Sequence, residues 1–204
     1  MQLAMKRLAL AAAFALAAAA ALPAAAQTVG LPAPDFSAPD LQGKPVKLSD
    51  FKGKYVVLEW VNPECPYVRR HYDTGNMPEL QKELATKGVI WLAVNSSSQS
   101  SGEFTPPEQM AKWIAAKGGA PRATLIDKDG KVGRLYGART TPHMYLIDPQ
   151  GKLIYAGAID DKRWANADET KNARNHVRAA LAESMAGKPV SVAATSPYGC
   201  SVKY

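Results

Sequence analysis

Short apolar segments alternate with longer segments of mixed polarity along most of the chain. Five apolar segments are bounded by turn-forming residues and are rich in β-branched or aromatic side chains, which predicts buried β-strands. They are Tyr55–Val61, Val89–Asn95, Ala123–Ile126, His143–Ile147 and Leu153–Ala156. Helices are predicted in the other segments, since prolines stand where two of them begin and glycines follow several of their ends. They are Pro66–Leu84 with a break near Gly75 and Pro78, Pro106–Lys117, Val132–Tyr136 and Ala167–Met185.

The order of these elements predicts an α/β fold with a central mixed sheet flanked by helices. The early strands alternate with helices, as in parallel sheets, whereas Asp148–Gly151 predicts a closing hairpin with antiparallel strands. Prolines exclude a helix from residues 27–44, and a turn there leads to a strand at Pro45–Leu48, which predicts an N-terminal β-hairpin extension. We therefore predict one domain over residues 27–187, followed by a flexible C-terminal tail over residues 188–204.

The first 26 residues have a different pattern and are not assigned to this domain. Lys6 and Arg7 precede an apolar run over residues 8–22, and the segment ends in Ala24-Ala25-Ala26. A basic start, an apolar centre and small final residues are typical of a secretory signal peptide, and the run is shorter than the about 20 residues of a membrane-spanning helix. We predict cleavage after Ala26, a periplasmic or secreted protein, and no stable membrane insertion after cleavage. An uncleaved membrane anchor is the alternative.

Composition narrows the chemistry that this domain can carry. The chain has 204 residues, a formal net charge of +7 and two cysteines, Cys65 and Cys200. Basic residues are scattered, with no run longer than Arg69-Arg70, so nucleic acid is not a predicted partner. Two cysteines exclude four-cysteine metal and cluster sites, and the histidines lack metal-ligand spacing, so we predict neither a metal nor another cofactor. In an oxidising compartment the two cysteines can pair.

Cys65 stands where a predicted buried strand ends and a predicted helix begins with Pro66. A thiolate there faces the unpaired N–H groups and the positive end of the helix dipole, which lower the pKa of a cysteine. Arg69 adds positive charge one turn further on, and Asn62 and Glu64 are candidates for tuning the thiol. The position suits a reactive nucleophile, but on these residues alone an inert buried cysteine fits equally well.

Five short segments occur in a particular order along the chain. They are Gly30–Phe36, Leu48–Lys54, Cys65-Pro66, Tyr136–Ala138 and Thr140–Pro142. In this order they resemble the redoxin branch, the alkyl hydroperoxide reductase/thiol-specific antioxidant group, of the thioredoxin-like superfamily. The resemblance implies a thioredoxin-like fold, with Cys65 as the nucleophile of a thiol redox reaction. It also implies that the Thr141-Pro142 bond is cis and that this loop lies beside Cys65 and docks the chain of a partner.

The sequence departs from two patterns of the superfamily. Thioredoxins carry a second cysteine three residues after the first, where this chain has Val68, so Cys200 is the candidate for a resolving thiol. Peroxiredoxins carry Thr or Ser three residues before the reactive cysteine and Pro seven before it, where Asn62 and Leu58 stand. We therefore predict an exported thiol-disulfide oxidoreductase or antioxidant enzyme. Its partner would be a thiol or disulfide protein or a reductant, with peroxide reduction as the alternative.

A non-catalytic interpretation also stays open. A permanent Cys65–Cys200 disulfide would close a long loop, which stabilises a fold by about 5 kcal/mol in the chain-entropy model, and the Pro142 surface would then only hold a partner. Other polar and aromatic residues are interpreted structurally. Trp60, Tyr67 and His143 are assigned to packing, Asp160-Asp161 to a solvated turn, and residues 96–101 to a flexible linker.

Overall fold

The computed structural model describes residues 28–204, so the predicted signal peptide lies outside the described residues. The strands are β1 Ser37–Pro39, β2 Pro45–Lys47, β3 Val56–Trp60, β4 Ile90–Asn95, β5 Ala123–Ile126, β6 Thr140–Thr141, β7 His143–Ile147, β8 Leu153–Gly157 and β9 Cys200–Ser201. The helices are α1 Pro66–Asp73, α2 Asn76–Thr86, α3 Pro107–Ala116, α4 Lys131–Tyr136, α5 Ala167–Lys171 and α6 His176–Met185, and Leu48–Phe51 forms one 3₁₀ turn. Between residues 28 and 204 no helix has the length and apolarity needed to cross a membrane.

Five strands form the central sheet in the order β5-β4-β3-β7-β8. β3, β4 and β5 run parallel, whereas β7 lies antiparallel to both β3 and β8, which confirms the predicted mixed sheet. All five residues of β3 are buried, because both faces of the sheet are covered. Val57 packs on the face covered by α1 and α2, while Leu58 packs on the opposite face with Phe36 and Tyr136.

The predicted N-terminal extension is confirmed, since β1 and β2 form an antiparallel hairpin. An isolated bridge between Asp40 and Leu125 attaches the hairpin to β5. The predicted break in the first helix is also confirmed. Gly75, with φ of +78°, separates α1 from α2.

The prediction of one long helix over Ala167–Met185 is wrong, because α5 and α6 are separate helices. Asn175 ends the gap between them as the N-cap of α6, where its side chain accepts a hydrogen bond from Arg178 N at 2.8 Å. Asp161 accepts a hydrogen bond from Arg174 N at 3.0 Å and holds the intervening backbone outside a helix. Asparagine favours such caps because its side chain competes with the helical backbone for hydrogen bonds.

The tail over residues 188–204 is packed along the domain, contrary to the predicted flexible segment. Its first part follows β8, where Ala156 N donates to Ala193 O and Thr195 N donates to Ala156 O, both at 3.1 Å. Its last part forms β9, which pairs antiparallel with β6. The side chain of Tyr204 then donates a hydrogen bond to Ala138 O at 2.7 Å. The tail therefore returns to the part of the fold where α1 begins.

Candidate active site

Cys65 is the N-cap residue of α1, and Pro66 is the first residue of that helix, as the sequence predicts. A tight turn after β3 brings the chain to this position. Cys65 N donates to Asn62 O at 3.1 Å, and Glu64 N donates to the side-chain oxygen of Asn62 at 2.9 Å. Asn62 therefore shapes the turn that presents the cysteine.

The thiol of Cys65 is fully buried and points to the loop before β7. Its Sγ donates to Thr141 O at 2.9 Å, and its side chain makes no capping hydrogen bond with α1. The Thr141-Pro142 peptide bond is cis, which confirms that expectation. The loop that contains Thr141 and Pro142 therefore lies beside Cys65, as the resemblance implies.

Cys200 lies opposite Thr141 in the β6–β9 pair, so both cysteines contact the same residue. Burial, together with a hydrogen bond with Cys65 and the charge of Cys65, raises the pKa of the Cys200 thiol to about 12. Both cysteines are free thiols in this structure. Residues that are distant in sequence thus form one dithiol site.

Gly199 makes this close approach of the tail possible. A Cβ atom at this position would lie 2.0 Å from Thr141 O and 3.2 Å from Pro142 N, and the backbone has φ of +137°. Contacts of 2.0 Å are closer than any side chain tolerates, and this φ is rare for residues other than glycine. A glycine is therefore needed directly before Cys200.

The structure separates the other predicted tuning residues into two groups. Arg69 and Glu64 form an ion pair of 3.0 Å on the surface, and Arg69 Nε also donates to Pro63 O at 2.6 Å. Asn62 is buried, and its amide donates to Glu103 at 3.2 Å. Glu103 in turn pairs with Lys203 of the tail at 3.2 Å. An effect of these residues on the Cys65 thiol stays a prediction.

A buried polar cluster around Tyr198 was missed by sequence reasoning. The Tyr198 hydroxyl donates to Asp160 and also contacts His71 Nε2 at 3.1 Å and Arg70 at 3.2 Å. Asn76 donates to the other ring nitrogen of His71 at 2.8 Å. The interpretation of Asp160 as part of a solvated turn is wrong, because its carboxylate is buried beneath the tail. The sequence signal for this cluster was the pair Tyr198-Gly199 directly before Cys200.

A second buried carboxylate, Glu59, lies in the middle of β3. It accepts hydrogen bonds from Trp91 Nε1 at 2.7 Å, from Tyr72 at 3.0 Å and from Gln81 at 3.1 Å. Burial raises the pKa of Glu59 to about 7, although these donors act in the opposite direction. A lone acidic residue inside a predicted buried strand was the sequence signal for this cluster.

Comparison with known proteins places this arrangement in a family. Residues 29–156 match the model of the AhpC/TSA family. The chain belongs to the AhpC/TSA family. The predicted redoxin resemblance is thereby confirmed.

Individual relatives of this redoxin agree with the family match. This chain is 35% identical over 135 residues to the thiol-disulfide oxidoreductase ResA of Geobacillus thermodenitrificans, and the match covers 63% of this chain and 68% of that protein. A hypothetical protein from Sinorhizobium meliloti is similar in structure, with a TM-score of 0.76, 27% identity and coverage of 88% and 96% of the two chains. The thioredoxin domain of a thiol-disulfide oxidoreductase from Bacteroides vulgatus gives a TM-score of 0.52, with 25% identity and coverage of 72% and 95%. The predicted thioredoxin-like α/β fold is therefore confirmed.

Proposed function

We propose that this redoxin is an exported thiol-disulfide oxidoreductase in which Cys65 is the nucleophile and Cys200 is the resolving thiol. The observation that carries the proposal is the meeting of both thiols at Thr141 in the β6–β9 pair. Similarity to the thiol-disulfide oxidoreductase ResA supports the same class of reaction. The predicted signal peptide over residues 1–26 supports export.

The reaction begins at Cys65. Its thiolate attacks one sulfur of a partner's disulfide, so a bond forms between Cys65 and that sulfur while the partner's S–S bond breaks. The other partner sulfur leaves as a thiolate and takes up a proton. Cys200 is unsuited to this first attack, because the raised pKa of its thiol, about 12, keeps it protonated at neutral pH.

Cys200 completes the exchange. Its thiolate attacks the Cys65 sulfur of the mixed disulfide, which forms a Cys65–Cys200 disulfide and releases the second partner thiol. Once Cys65 is in a mixed disulfide it carries no charge, so this contribution to the raised pKa of Cys200 is removed. Two electrons pass from the cysteine pair to the partner. A dithiol reductant then restores both thiols and is itself oxidised to a disulfide.

Mixing the reduced protein with glutathione disulfide tests both roles. We expect the wild type to end with a Cys65–Cys200 disulfide, Cys200→Ser to stop as a glutathione adduct on Cys65, and Cys65→Ser to form no adduct at neutral pH. Mass spectrometry after acid quenching distinguishes these products. Adduct formation in Cys65→Ser at the rate of the wild type would show that Cys65 is not the nucleophile.

Two further measurements separate this proposal from its alternatives. A Cys65–Cys200 reduction potential below about −300 mV would indicate a structural disulfide rather than a cycling one. Oxidation of Cys65 by hydrogen peroxide much faster than oxidation of free cysteine would indicate a peroxidase. Export is tested by sequencing the N-terminus of the mature protein, which we expect to begin at Gln27.

A further inference from the structure

The carboxylate of Glu103 lies between the two segments that carry the cysteines. Its Oε2 accepts a hydrogen bond from the side-chain amide of Asn62 at 3.2 Å, and its Oε1 lies 3.2 Å from Lys203 Nζ. Asn62 belongs to the turn before Cys65, and Lys203 follows β9, the strand that contains Cys200. One side chain of the β4–α3 loop, residues 96–106, therefore joins the turn of the nucleophile to the tail of the second thiol.

Other contacts fix both ends of this bridge. The side-chain oxygen of Asn62 accepts a hydrogen bond from Glu64 N at 2.9 Å, so its amide nitrogen is the group that faces Glu103. At the other end, Lys203 O accepts a hydrogen bond from Ser98 N of the β4–α3 loop at 2.6 Å. The tail is thus attached to this loop through its backbone as well as through an ion pair.

The β4–α3 loop is itself held against the core. Ser96 at its start is buried, and its hydroxyl accepts a hydrogen bond from Trp60 Nε1 at 3.0 Å and donates one to Asp127 at 2.6 Å. Thr105, near the other end of the loop, is also buried. The backbone that carries Glu103 therefore has support on both sides, which a bridge between two other segments requires.

The bridge is partly shielded from solvent. The side chains of Glu103 and Lys203 are 36% and 34% exposed, whereas those of the ion pair between Glu108 and Lys112 on α3 are 79% and 75% exposed. Ion pairs on an open surface contribute little to stability. A carboxylate that also accepts a hydrogen bond from a buried amide, here that of Asn62, contributes more.

The two charges of the bridge also act on the thiol of Cys200. Glu103 raises the pKa of this thiol and Lys203 lowers it, although burial and the contact with Cys65 have larger effects. Removal of the Glu103 charge without movement of the tail would favour the Cys200 thiolate and accelerate its attack. Loss of the position of Cys200 would slow the same attack. The two possible roles of Glu103 therefore predict changes of opposite sign.

We propose that Glu103 is a positioning residue for the resolving step, because it holds Lys203, and with it Cys200, to the turn that presents Cys65. This role rests on the proposed function, in which the Cys200 thiolate attacks the Cys65 sulfur of the mixed disulfide and the partner's sulfur leaves as a thiolate. Cys65 has no exposed surface in the dithiol state, so the chain around it must shift when a partner reaches it. The bridge keeps Cys200 within reach during that shift and takes no part in the first attack.

Glu103→Asp separates position from charge. The variant keeps a carboxylate, but its side chain is one methylene shorter and cannot contact Asn62 and Lys203 together. The reduced protein is mixed with glutathione disulfide at neutral pH, and acid-quenched samples are followed by mass spectrometry. We expect the glutathione adduct on Cys65 to form no more slowly than in the wild type. Its conversion to the Cys65–Cys200 disulfide should be about fivefold slower.

Two further variants complete this kinetic test. Glu103→Gln keeps an acceptor for Asn62 but removes the charge that faces Lys203, so conversion of the adduct should be about twofold slower. Faster conversion in this variant would show that Glu103 acts through its charge on Cys200. Glu108→Asp is the matched control, because Glu108 forms its ion pair on the surface of α3, and both of its rates should equal those of the wild type.

Hydrogen exchange provides a measurement that needs no redox reaction. The Ser98 amide, which bonds to Lys203 O, should exchange about fivefold faster in Glu103→Asp than in the wild type. The Ile90 amide, which bonds to Tyr55 O at the start of β3, should exchange at the wild-type rate. Equal acceleration at both amides would indicate a general loss of stability and would overturn the proposal.

The outcomes distinguish this proposal from the proposed function. Unchanged Ser98 exchange or unchanged adduct conversion in Glu103→Asp would overturn the positioning role. A wild-type protein that forms no Cys65–Cys200 disulfide with glutathione disulfide would refute the proposed function, and Ser98 exchange would still decide whether Glu103 holds the tail. If Glu103→Asp does not fold, the rates and the exchange of Glu103→Gln decide.

Discussion

Two buried carboxylates in this redoxin each accept a hydrogen bond from a tyrosine, yet they belong to different parts of the fold. Glu59 accepts hydrogen bonds from Tyr72, Trp91 and Gln81, which all belong to the central sheet and its helices. Asp160 accepts a hydrogen bond from Tyr198, which belongs to the C-terminal tail. The Glu59 cluster contains no residue of the tail, whereas the Asp160 cluster includes Tyr198 of the tail. The first therefore joins the sheet to its helices, and the second fixes the tail beside Cys65.

The two clusters also differ in their response to acid, because only the cluster around Tyr198 contains a histidine. Burial raises the pKa of Glu59 to about 7, so its protonation as pH falls is favoured in the folded protein. Burial, followed by the charge of Arg70, lowers the pKa of His71 to about 3, so this histidine is neutral in the folded protein. The contribution of His71 is complete above its unfolded pKa near 6.5 and is lost as pH falls towards 3. Acidification therefore favours the Glu59 cluster. In the cluster that holds Tyr198, the loss of the His71 contribution is opposed by Asp160, because burial raises the pKa of this carboxyl.

The largest expected effect comes from removing each carboxylate. Glu59→Ala leaves buried donors of Trp91, Tyr72 and Gln81 without their acceptor, which should lower the free energy of unfolding by about 4 kcal/mol. Asp160→Ala should cost about half as much or less, since Tyr198 keeps its contacts with His71 and Arg70. Urea denaturation at pH 7 measures both values. Equal losses of unfolding free energy in the two variants would contradict the assignment of Glu59 to the stability of the domain and of Asp160 to the packing of the tail.

Glu59→Gln should change the pH dependence of stability. The wild-type carboxyl stabilises the folded protein fully below pH 4.5, its unfolded value, and loses that contribution as pH rises through about 7. The glutamine has no such loss, so the stability of the variant relative to the wild type should rise by about 3 kcal/mol between pH 4.5 and pH 7.5. Urea denaturation across this range gives the difference. A difference independent of pH would show that Glu59 ionises as readily in the folded protein as in the unfolded chain.

Removing only the tyrosine hydroxyl from each cluster tests the contrast between the Glu59 and Asp160 clusters with a smaller change. Tyr72→Phe should lower the free energy of unfolding by about 1–2 kcal/mol, because a buried hydrogen bond to a carboxylate is lost. Tyr198→Phe should instead act locally and increase hydrogen exchange of the Val202 amide, which bonds to Arg139 O, by about tenfold. Hydrogen exchange and urea denaturation on both variants separate the effects. Faster exchange at Val202 in Tyr72→Phe alone would reverse the assignment.

The smallest effect is expected at the far end of the tail. Tyr204→Phe removes the hydrogen bond to Ala138 O from a partly exposed ring and should cost about 1 kcal/mol or less. Its exchange pattern should resemble that of the wild type at Val202, because the Tyr198 contacts are intact. An increase as large as in Tyr198→Phe would place the main anchor of the tail at Tyr204.

The sheet was predictable because its strands are mostly apolar and rich in β-branched and aromatic residues, as in β3 and β4, where only Glu59 and Asn95 are polar. The hairpins and the position of Cys65 at the start of α1 followed from turn residues and Pro66. The break between α5 and α6 was not predicted, because a local cap at Asn175 overrides the helical pattern. The packed tail was missed for a different reason. It has no periodic apolar face, and its docking depends on a few long-range contacts of Tyr198, Gly199 and Tyr204.

The packing of Tyr204 has a practical consequence for anyone preparing this protein. Tyr204 lies against α4, where an added Cβ at Gly133 would come within 2.6 Å of its ring, and the Arg134 guanidinium lies 4.6 Å from the ring centre. Bulk added beside this ring would disturb its hydrogen bond to Ala138 O and its contact with the Arg134 guanidinium. A purification tag attached away from Tyr204 therefore disturbs the packing of α4 least.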